Sequence, residues 1–315
     1  MRIGIIGGGT AGLVSAWLLE RDHDVTLFEK DARFGGHAHT VDIEVDGRVL
    51  TVDLGFQFFA RSAAYATFNR LLDVLEVPRR SYPATLTVAR ADGTRAIVMP
   101  PLRAGRPVWS SLTPRAIAHL LRLRAFLADI PAFLARHDTT MTIEEYVARK
   151  RLPASFVNGF LFPLLQAFWC VEFAEFRRFA AYNALYYLGA NLPHGLTPPA
   201  QSEIPGGLRV YVDALIRSLE RARLHGEAAV EAVSRDDDGT LLVDVAGGRH
   251  PFDHLVLACD ARTAHDLLAP LPELAGLTQQ LAPLPVLRHD DRDPRRPPAH
   301  AAGSRGVVGG ERARR

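Results

Sequence analysis

The feature that most constrains this chain is a glycine-rich turn set between two short apolar runs at its beginning. Arg2 to Gly7 reads as a buried strand, and Gly7, Gly9 and Gly12 follow in G-x-G-x-x-G register, with Thr10 and Ala11 inside the turn and a helix over 13–21 behind it. Gly7 permits the tight turn, Gly9 lets a pyrophosphate approach the backbone without meeting a Cβ, and Gly12 lets helix and strand pack closely. The N-terminus of such a helix carries unpaired N–H groups and about half a positive elementary charge, which suits a phosphate. A second strand from Asp24 ends at Glu29, 17 residues beyond Gly12, where a carboxylate accepts hydrogen bonds from a ribose diol and disfavours a 2′-phosphate. A glycine-rich loop without a ligand would not require strand, glycines, helix and terminal acid together. The apolar stretch from Ile3 to Leu19 is not a secretion signal: it holds five glycines, follows one basic residue and lacks a small-residue cleavage site.

After Glu29 the chain does not enter a second helix. It runs through Lys30, Arg33, Gly35, Gly36, His37, His39 and Thr40 in the pattern E-x3-R-x-G-G-x3-T. This pattern resembles the extended FAD fingerprint of flavin amine oxidases, phytoene desaturases and protoporphyrinogen oxidases. The resemblance implies an FAD cofactor. Its contacts are expected from Gly7, Gly9, Thr10, Ala11, Gly12, Glu29, Lys30, Arg33, Gly35, Gly36 and His37, with Arg33 as a charged donor and the second glycine pair admitting close backbone approach. Read without the resemblance, Arg33 is a solvated charge and the glycines an ordinary turn. The segment Asp53-Leu54-Gly55 is similar to the D-x-G loop of the same superfamily, with Asp53 ordering the loop as a hydrogen-bond acceptor. The H-x-H variant at His37 and His39 is similar to a bacterial group described as NAD/FAD-binding or amine-oxidase-like. Two histidines with no third ligand at metal spacing do not make a metal site. They stand near the flavin, near a substrate headgroup, or in an ordinary loop.

The two cysteines, Cys170 and Cys259, form no C-x-x-C pattern, which fits a reducing compartment, the cytoplasm, without a disulfide framework. The formal net charge of +2 conceals an uneven distribution, since residues 283–315 hold eight arginines against four acids. The remainder is slightly acidic, so nucleic acid is not an expected partner. Strands at 85–89 and 96–99 around an Asp92-Gly93 turn read as a hairpin. Thr113-Pro114 opens a long helix and Thr142 to Glu145 opens another through Lys150. An aromatic block from Phe156 to Phe179 follows, interrupted by Pro163. Asn158, Pro163, Gln166 and Glu172 break this apolar region, which therefore reads as a buried helix pair lining an apolar pocket and not as a membrane span. Arg115, Arg122 and Arg124 make either a solvated helix face or a peripheral contact with anionic headgroups.

Family-like sequence returns at Pro205-Gly206-Gly207, followed by a helix over 212–223 and a β segment in which Val230 stands where the family's backbone contacts adenine. The expected fold class is α/β: a discontinuous Rossmann-like FAD-binding domain over 1–79 and 203–282 with an inserted, mainly helical α+β substrate domain over 80–202. Residues 283–315 read as a disordered or out-of-frame tail in place of the family's G-(D/E)-G segment, which closes over the flavin. The chain contains only two lysines, Lys30 and Lys150, neither where amine oxidases place theirs near the flavin. His37, His39 and Gln57 are the candidates near the ring, and Phe162 and Trp169 for the wall of a pocket. The implied function is FAD-dependent hydride removal from a C–N or C–C bond of an apolar, lipid- or isoprenoid-like small molecule. A truncated, inactive flavin-site remnant and an NAD-dependent dehydrogenase are the alternatives.

Overall fold

The computed structural model describes residues 1–83, 85–89, 97–103, 105–169, 171–191 and 200–284. The expected Asp92-Gly93 turn, Cys170 and the tail from residue 285 lie outside the described residues.

Strand β1 (Arg2–Ile6) and strand β2 (Asp24–Phe28) are central in a four-stranded parallel sheet, flanked by Arg223–His225 beside β2 and His254–Leu257 beside β1. Four of the five residues in each central strand are buried, because both faces of the sheet are covered. The alternation of side chains sorts them. Ile3 and Ile5, with Val25 and Leu27, pack against Leu13 and Ala16 of helix α1 (Thr10–Leu19) and against Leu208, Tyr211 and Leu215. Ile6 and Phe28 turn to the opposite face, where Val233, Val243 and Phe252 of a three-stranded antiparallel sheet meet them together with Leu267 and Leu268.

Residues 97–188 supply a separate hydrophobic cluster from a set of mainly short helices. Their starts follow from capping chemistry. Thr113 accepts a hydrogen bond from the Ala116 N–H ahead of Pro114 in the helix Pro114–Ala128, and Thr142 with Glu145 forms a reciprocal capping box for Ile143–Arg149. Pro163 does not interrupt the aromatic block as its sequence suggests. Helical backbone continues from Ala154 to Gln166 through a π turn at Val157–Leu161, in which the Phe162 N–H reaches Val157 O. The wider turn accommodates a residue that has no N–H and whose ring crowds the carbonyl four residues earlier.

The strands Leu86–Val88 and Ile97–Met99 pair antiparallel, as the hairpin reading requires. A second small sheet joins segments distant in sequence: Ala200–Glu203 lies between Phe59–Ala60 and Arg80–Pro83, antiparallel to both. One element differs from expectation. The helix placed over 212–223 runs Arg209–Arg217, and Arg223–His225 is the outer strand of the parallel sheet. Glu20, only 6% exposed, enforces the change of direction by accepting hydrogen bonds from the Glu220, Arg221 and Ala222 N–H groups. Burial raises its pKa, and these three donors outweigh that effect and leave the carboxyl below its ordinary value. No helix among the described residues is long and apolar enough to cross a membrane.

Candidate dinucleotide cradle

The first glycine turn is tight because its neighbours leave no room for side chains. A Cβ on Gly12 would fall 1.9 Å from Gly7 O, and one on Gly7, whose φ is +108°, would lie 2.6 Å from Ala258 O. Gly9 is different. It occupies the N-cap of α1 with φ −69° and ψ 178°, and a Cβ there would meet nothing nearer than Gly36 Cα at 3.9 Å. No side chain caps α1 and its first turn contains no acid. The first N–H groups of the helix therefore face an open space bordered by glycine, the arrangement that accommodates a diphosphate.

The second glycine pair closes over the first. Gly35 N–H donates to Gly8 O at 2.8 Å, Gly9 and Gly35 form an isolated parallel bridge, and Gly35 and Gly36 have φ of +111° and +57°. A Cβ on Gly36 would stand 3.1 Å from Gly9 Cα, so glycines from two loops face each other at the closest point. Arg33 maintains this loop. Its NH1 donates to the Phe34 and Ala38 carbonyls, and its NH2 to Gly36 O at 2.8 Å. The guanidinium thus ties together the backbone of the loop in which sequence reasoning placed a charged donor.

Glu29 is buried directly beneath the turn. Its Oε2 accepts the Gly8 N–H at 2.6 Å and its Oε1 the Asp31 N–H at 3.0 Å. Each carboxylate oxygen keeps a lone pair for a diol. Lys30, beside it, is exposed. Backbone pairing continues past β2, from Glu29 N–H to His225 O and from Ala228 N–H to Glu29 O. This brings Val230, at the start of the strand Val230–Arg235, to the same end of the sheet as Glu29.

A third segment reaches the cradle through side chains that the sequence reading did not connect. The Thr10 hydroxyl and the Tyr211 hydroxyl are 2.6 Å apart, and Tyr211 is fully buried. Burial pushes its phenol above the ordinary pKa, partly offset by the Thr10 hydrogen bond. Asp53 Oδ1 accepts both the Thr40 hydroxyl and the Leu208 N–H, while Thr40 Oγ1 accepts the Arg209 N–H. The helix Arg209–Arg217 is thereby capped from residues more than 150 positions earlier. Gly207, at φ +84°, is required there because a Cβ would lie 2.4 Å from Thr40 Cγ2.

The candidates near a flavin ring occupy the adjoining loop. His37 is exposed and His39 is half-buried. A Cβ on Gly55 would come within 1.7 Å of His37 O, and His39 O accepts the Leu54 N–H at 2.7 Å. Both histidines are therefore fixed by backbone against the D-x-G loop. Gln57 is exposed and its amide donates to Asp53 O. The two candidate wall residues stand in the helical part. Phe162 is 2% exposed in its core, with the Arg177 guanidinium 5.3 Å from its ring, and borders a cavity of about 250 Å³ that also includes Glu144 and Asn158. Trp169 packs with Phe179 and Tyr187, and its buried indole N–H has no hydrogen-bond partner among the described residues. The Tyr187 phenol, raised in pKa chiefly by burial and further by a hydrogen bond with Tyr65, links that aromatic group to the cluster around the parallel sheet.

A family model described as flavin containing amine oxidoreductase matches residues 10–287. A protein named as an uncharacterized protein in the nifH2 3' region of Methanothermococcus thermolithotrophicus is 48% identical over 56 residues, which are 18% of this chain and 50% of that protein. Cyclohexylamine oxidase from Brevibacterium oxydans IH-35A superimposes with a TM-score of 0.65 at 16% identity, over 89% of this chain and 62% of that one. A CLA-producing fatty acid isomerase from P. acnes superimposes with a TM-score of 0.55 at 19% identity, over 84% and 60% respectively. At such identities the likeness is one of fold. The chain spans between one half and two thirds of the length of each of these proteins.

Proposed function

The chain belongs to the flavin containing amine oxidoreductase family, whose cofactor is FAD, and from this premise we propose that it is an FAD-dependent oxidoreductase acting on an apolar, lipid- or isoprenoid-like substrate. The observation that carries the proposal is the approach of Gly9 to Gly36 over the uncapped N-terminus of α1. The residues fit a dinucleotide: open space where a Cβ would stand at Gly9, helix donors without a side-chain cap, and a buried carboxylate with lone pairs to spare.

In this reading residues 1–79 and 203–282 hold the cofactor and residues 80–202 the substrate, and the chain works in the cytoplasm. The turn from Gly7 to Gly12, with Thr10 and Ala11, receives the pyrophosphate. Glu29 receives the ribose, with Lys30 at the rim, and Val230 borders the adenine. Arg33 holds Gly35, Gly36 and His37 in place. His37, His39 and Gln57 are nearest the reacting end. A bound flavin supplies hydride acceptance. The protein's own part is to orient the substrate and exclude water, and the aromatic residues around Trp169 and Phe162 are suited to an apolar chain. The fold likeness to a fatty acid isomerase is compatible with such a substrate.

The test is anaerobic mixing of the flavin-loaded protein with a panel of unsaturated fatty acids, isoprenoids and small polar amines, followed by absorbance at about 450 nm. Bleaching by members of the apolar group is the expected result. Bleaching by polar amines alone would overturn the substrate class, and stoichiometric NADH binding without flavin uptake would overturn the cofactor.

A further inference from the structure

The helix Pro114–Ala128 buries Ala116, His119, Leu123 and Phe126 against the helical cluster. Its opposite face is not polar. Ile117 is 43% exposed and Leu121, one turn later on the same face, is 62% exposed. Trp109, in the short turn immediately before the helix, is 78% exposed, more than any other large apolar side chain among the described residues.

Along the segment that carries these side chains the charge has one sign, up to Asp129 at the end of the helix. Residues 97–128 contain five arginines, at 103, 106, 115, 122 and 124, and no aspartate or glutamate. Arg124 is exposed next to the Ile117 and Leu121 face, Arg106 is exposed near Trp109, and Arg122 is half-buried on the flank of the helix. A solvated helix face would mix acids and bases and would not display isoleucine, leucine and tryptophan together. A protein partner recognised by charge alone would not need the apolar side chains. An apolar ridge ending in an indole and bordered by long cationic side chains matches the boundary between headgroups and acyl chains, where tryptophan is amphipathic and arginine extends toward phosphate.

We propose that Trp109 and the exposed face of Pro114–Ala128 form a docking surface for an anionic lipid bilayer, with Trp109, Ile117 and Leu121 entering the interface and Arg106, Arg122 and Arg124 meeting lipid phosphates. The inference rests on this face alone and stands whatever the flavin site oxidises. Attachment is peripheral, and its electrostatic part is screened by salt.

Sedimentation with vesicles tests it. The full chain is mixed with vesicles of phosphatidylcholine containing about one third phosphatidylglycerol, and with vesicles of phosphatidylcholine alone. The chain is expected to bind the anionic vesicles at least ~tenfold more tightly and to release in about 0.5 M salt. The double substitution Trp109→Ser with Leu121→Ser is expected to weaken binding by about tenfold or more, and Arg122→Gln with Arg124→Gln to abolish the preference for anionic lipid. Because Trp109 and Leu121 are exposed, the thermal midpoint of the first double variant stays near that of the parent. A blue shift of tryptophan emission on vesicle addition, lost in Trp109→Phe, places the indole in the interface. Absence of vesicle binding overturns the proposal, as does binding insensitive to both double variants. A dimer that Leu121→Ser dissociates, without lipid binding, would make the face a contact between copies of this chain. Equally tight binding to soluble polyglutamate, unaffected by the Trp109 substitution, would make it a surface for acidic polymers.

Discussion

Replacing Gly9 by alanine separates the role of the glycine turn in binding from its role in folding. The backbone of Gly9, at φ −69° and ψ 178°, is accessible to any L-residue, and the added Cβ finds its nearest neighbour, Gly36 Cα, at 3.9 Å. The apoprotein therefore loses little, within about 0.5 kcal/mol. With cofactor present the same methyl occupies the closest approach of the pyrophosphate and forces it about 1.5 Å away from the N-terminus of α1. One or two charge-assisted hydrogen bonds, each worth roughly 1.5–3 kcal/mol, are then broken. A loss of about 3 kcal/mol corresponds to FAD binding roughly 100-fold weaker. Gly12→Ala is the control. Its Cβ would stand 1.9 Å from Gly7 O, so α1 has to move off β1, and the apoprotein itself loses several kcal/mol. The assay pairs thermal unfolding without flavin with a titration of apoprotein by FAD. Gly9→Ala that binds FAD within about twofold of the parent, or that loses as much apoprotein stability as Gly12→Ala, would show that Gly9 does not set the closest approach of the pyrophosphate.

Further predictions follow from neighbouring contacts. Glu29→Gln presents an amide to one of the Gly8 and Asp31 N–H groups where an acceptor stood, and FAD affinity measured by titration is expected to fall by about 1–3 kcal/mol. Arg33→Lys retains the charge but cannot fork to the Phe34, Ala38 and Gly36 carbonyls; flavin content is expected to drop and protease cleavage near residues 34–38 to rise, whereas unchanged values would mean the charge alone suffices. His119, 3% exposed and stacked on Phe160, has its pKa lowered first by burial and then by Arg115 and Arg122. The folded state therefore resists protonation that the unfolded chain accepts, so its contribution is full above the ordinary value of 6.5 and declines as pH falls below it. The thermal midpoint is expected to decrease between about pH 7 and pH 5, with a shallower slope in His119→Phe; identical slopes would remove His119 from the account.

The strand, turn and helix at the start of the chain were legible because their determinants are local. Alternation at Ile3, Ile5, Val25 and Leu27, steric need at Gly7 and Gly12, and the acid after β2 all lie within thirty residues. The hairpin strands and the caps at Thr113 and Thr142 were legible for the same reason. The outer strand Arg223–His225 was not, since three residues carry no usable period and its course depends on Glu20, some 200 positions away. The capping of Arg209–Arg217 by Thr40 and Asp53 and the pairing of Thr10 with Tyr211 were hidden likewise, being contacts across the chain without a sequence spacing. Arg33 was read as a charged donor, and its hydrogen bonds to the carbonyls of its own loop carry no signal in the sequence. The π turn before Pro163 could not be inferred because a proline in a helical pattern ordinarily signals an end. The exposure of Trp109 was invisible, since burial is a property of the packed fold and not of residue type.

In the proposed reading one FAD is held where Gly9, Gly36 and Glu29 converge. Its most direct measurement is the flavin-to-protein ratio of purified chain reconstituted with FAD, read from protein concentration and absorbance at about 450 nm. One FAD per chain is expected, with the ratio falling well below one in Gly9→Ala under the same conditions. Colourless parent protein after reconstitution, or full occupancy that Gly9→Ala leaves untouched, would contradict it.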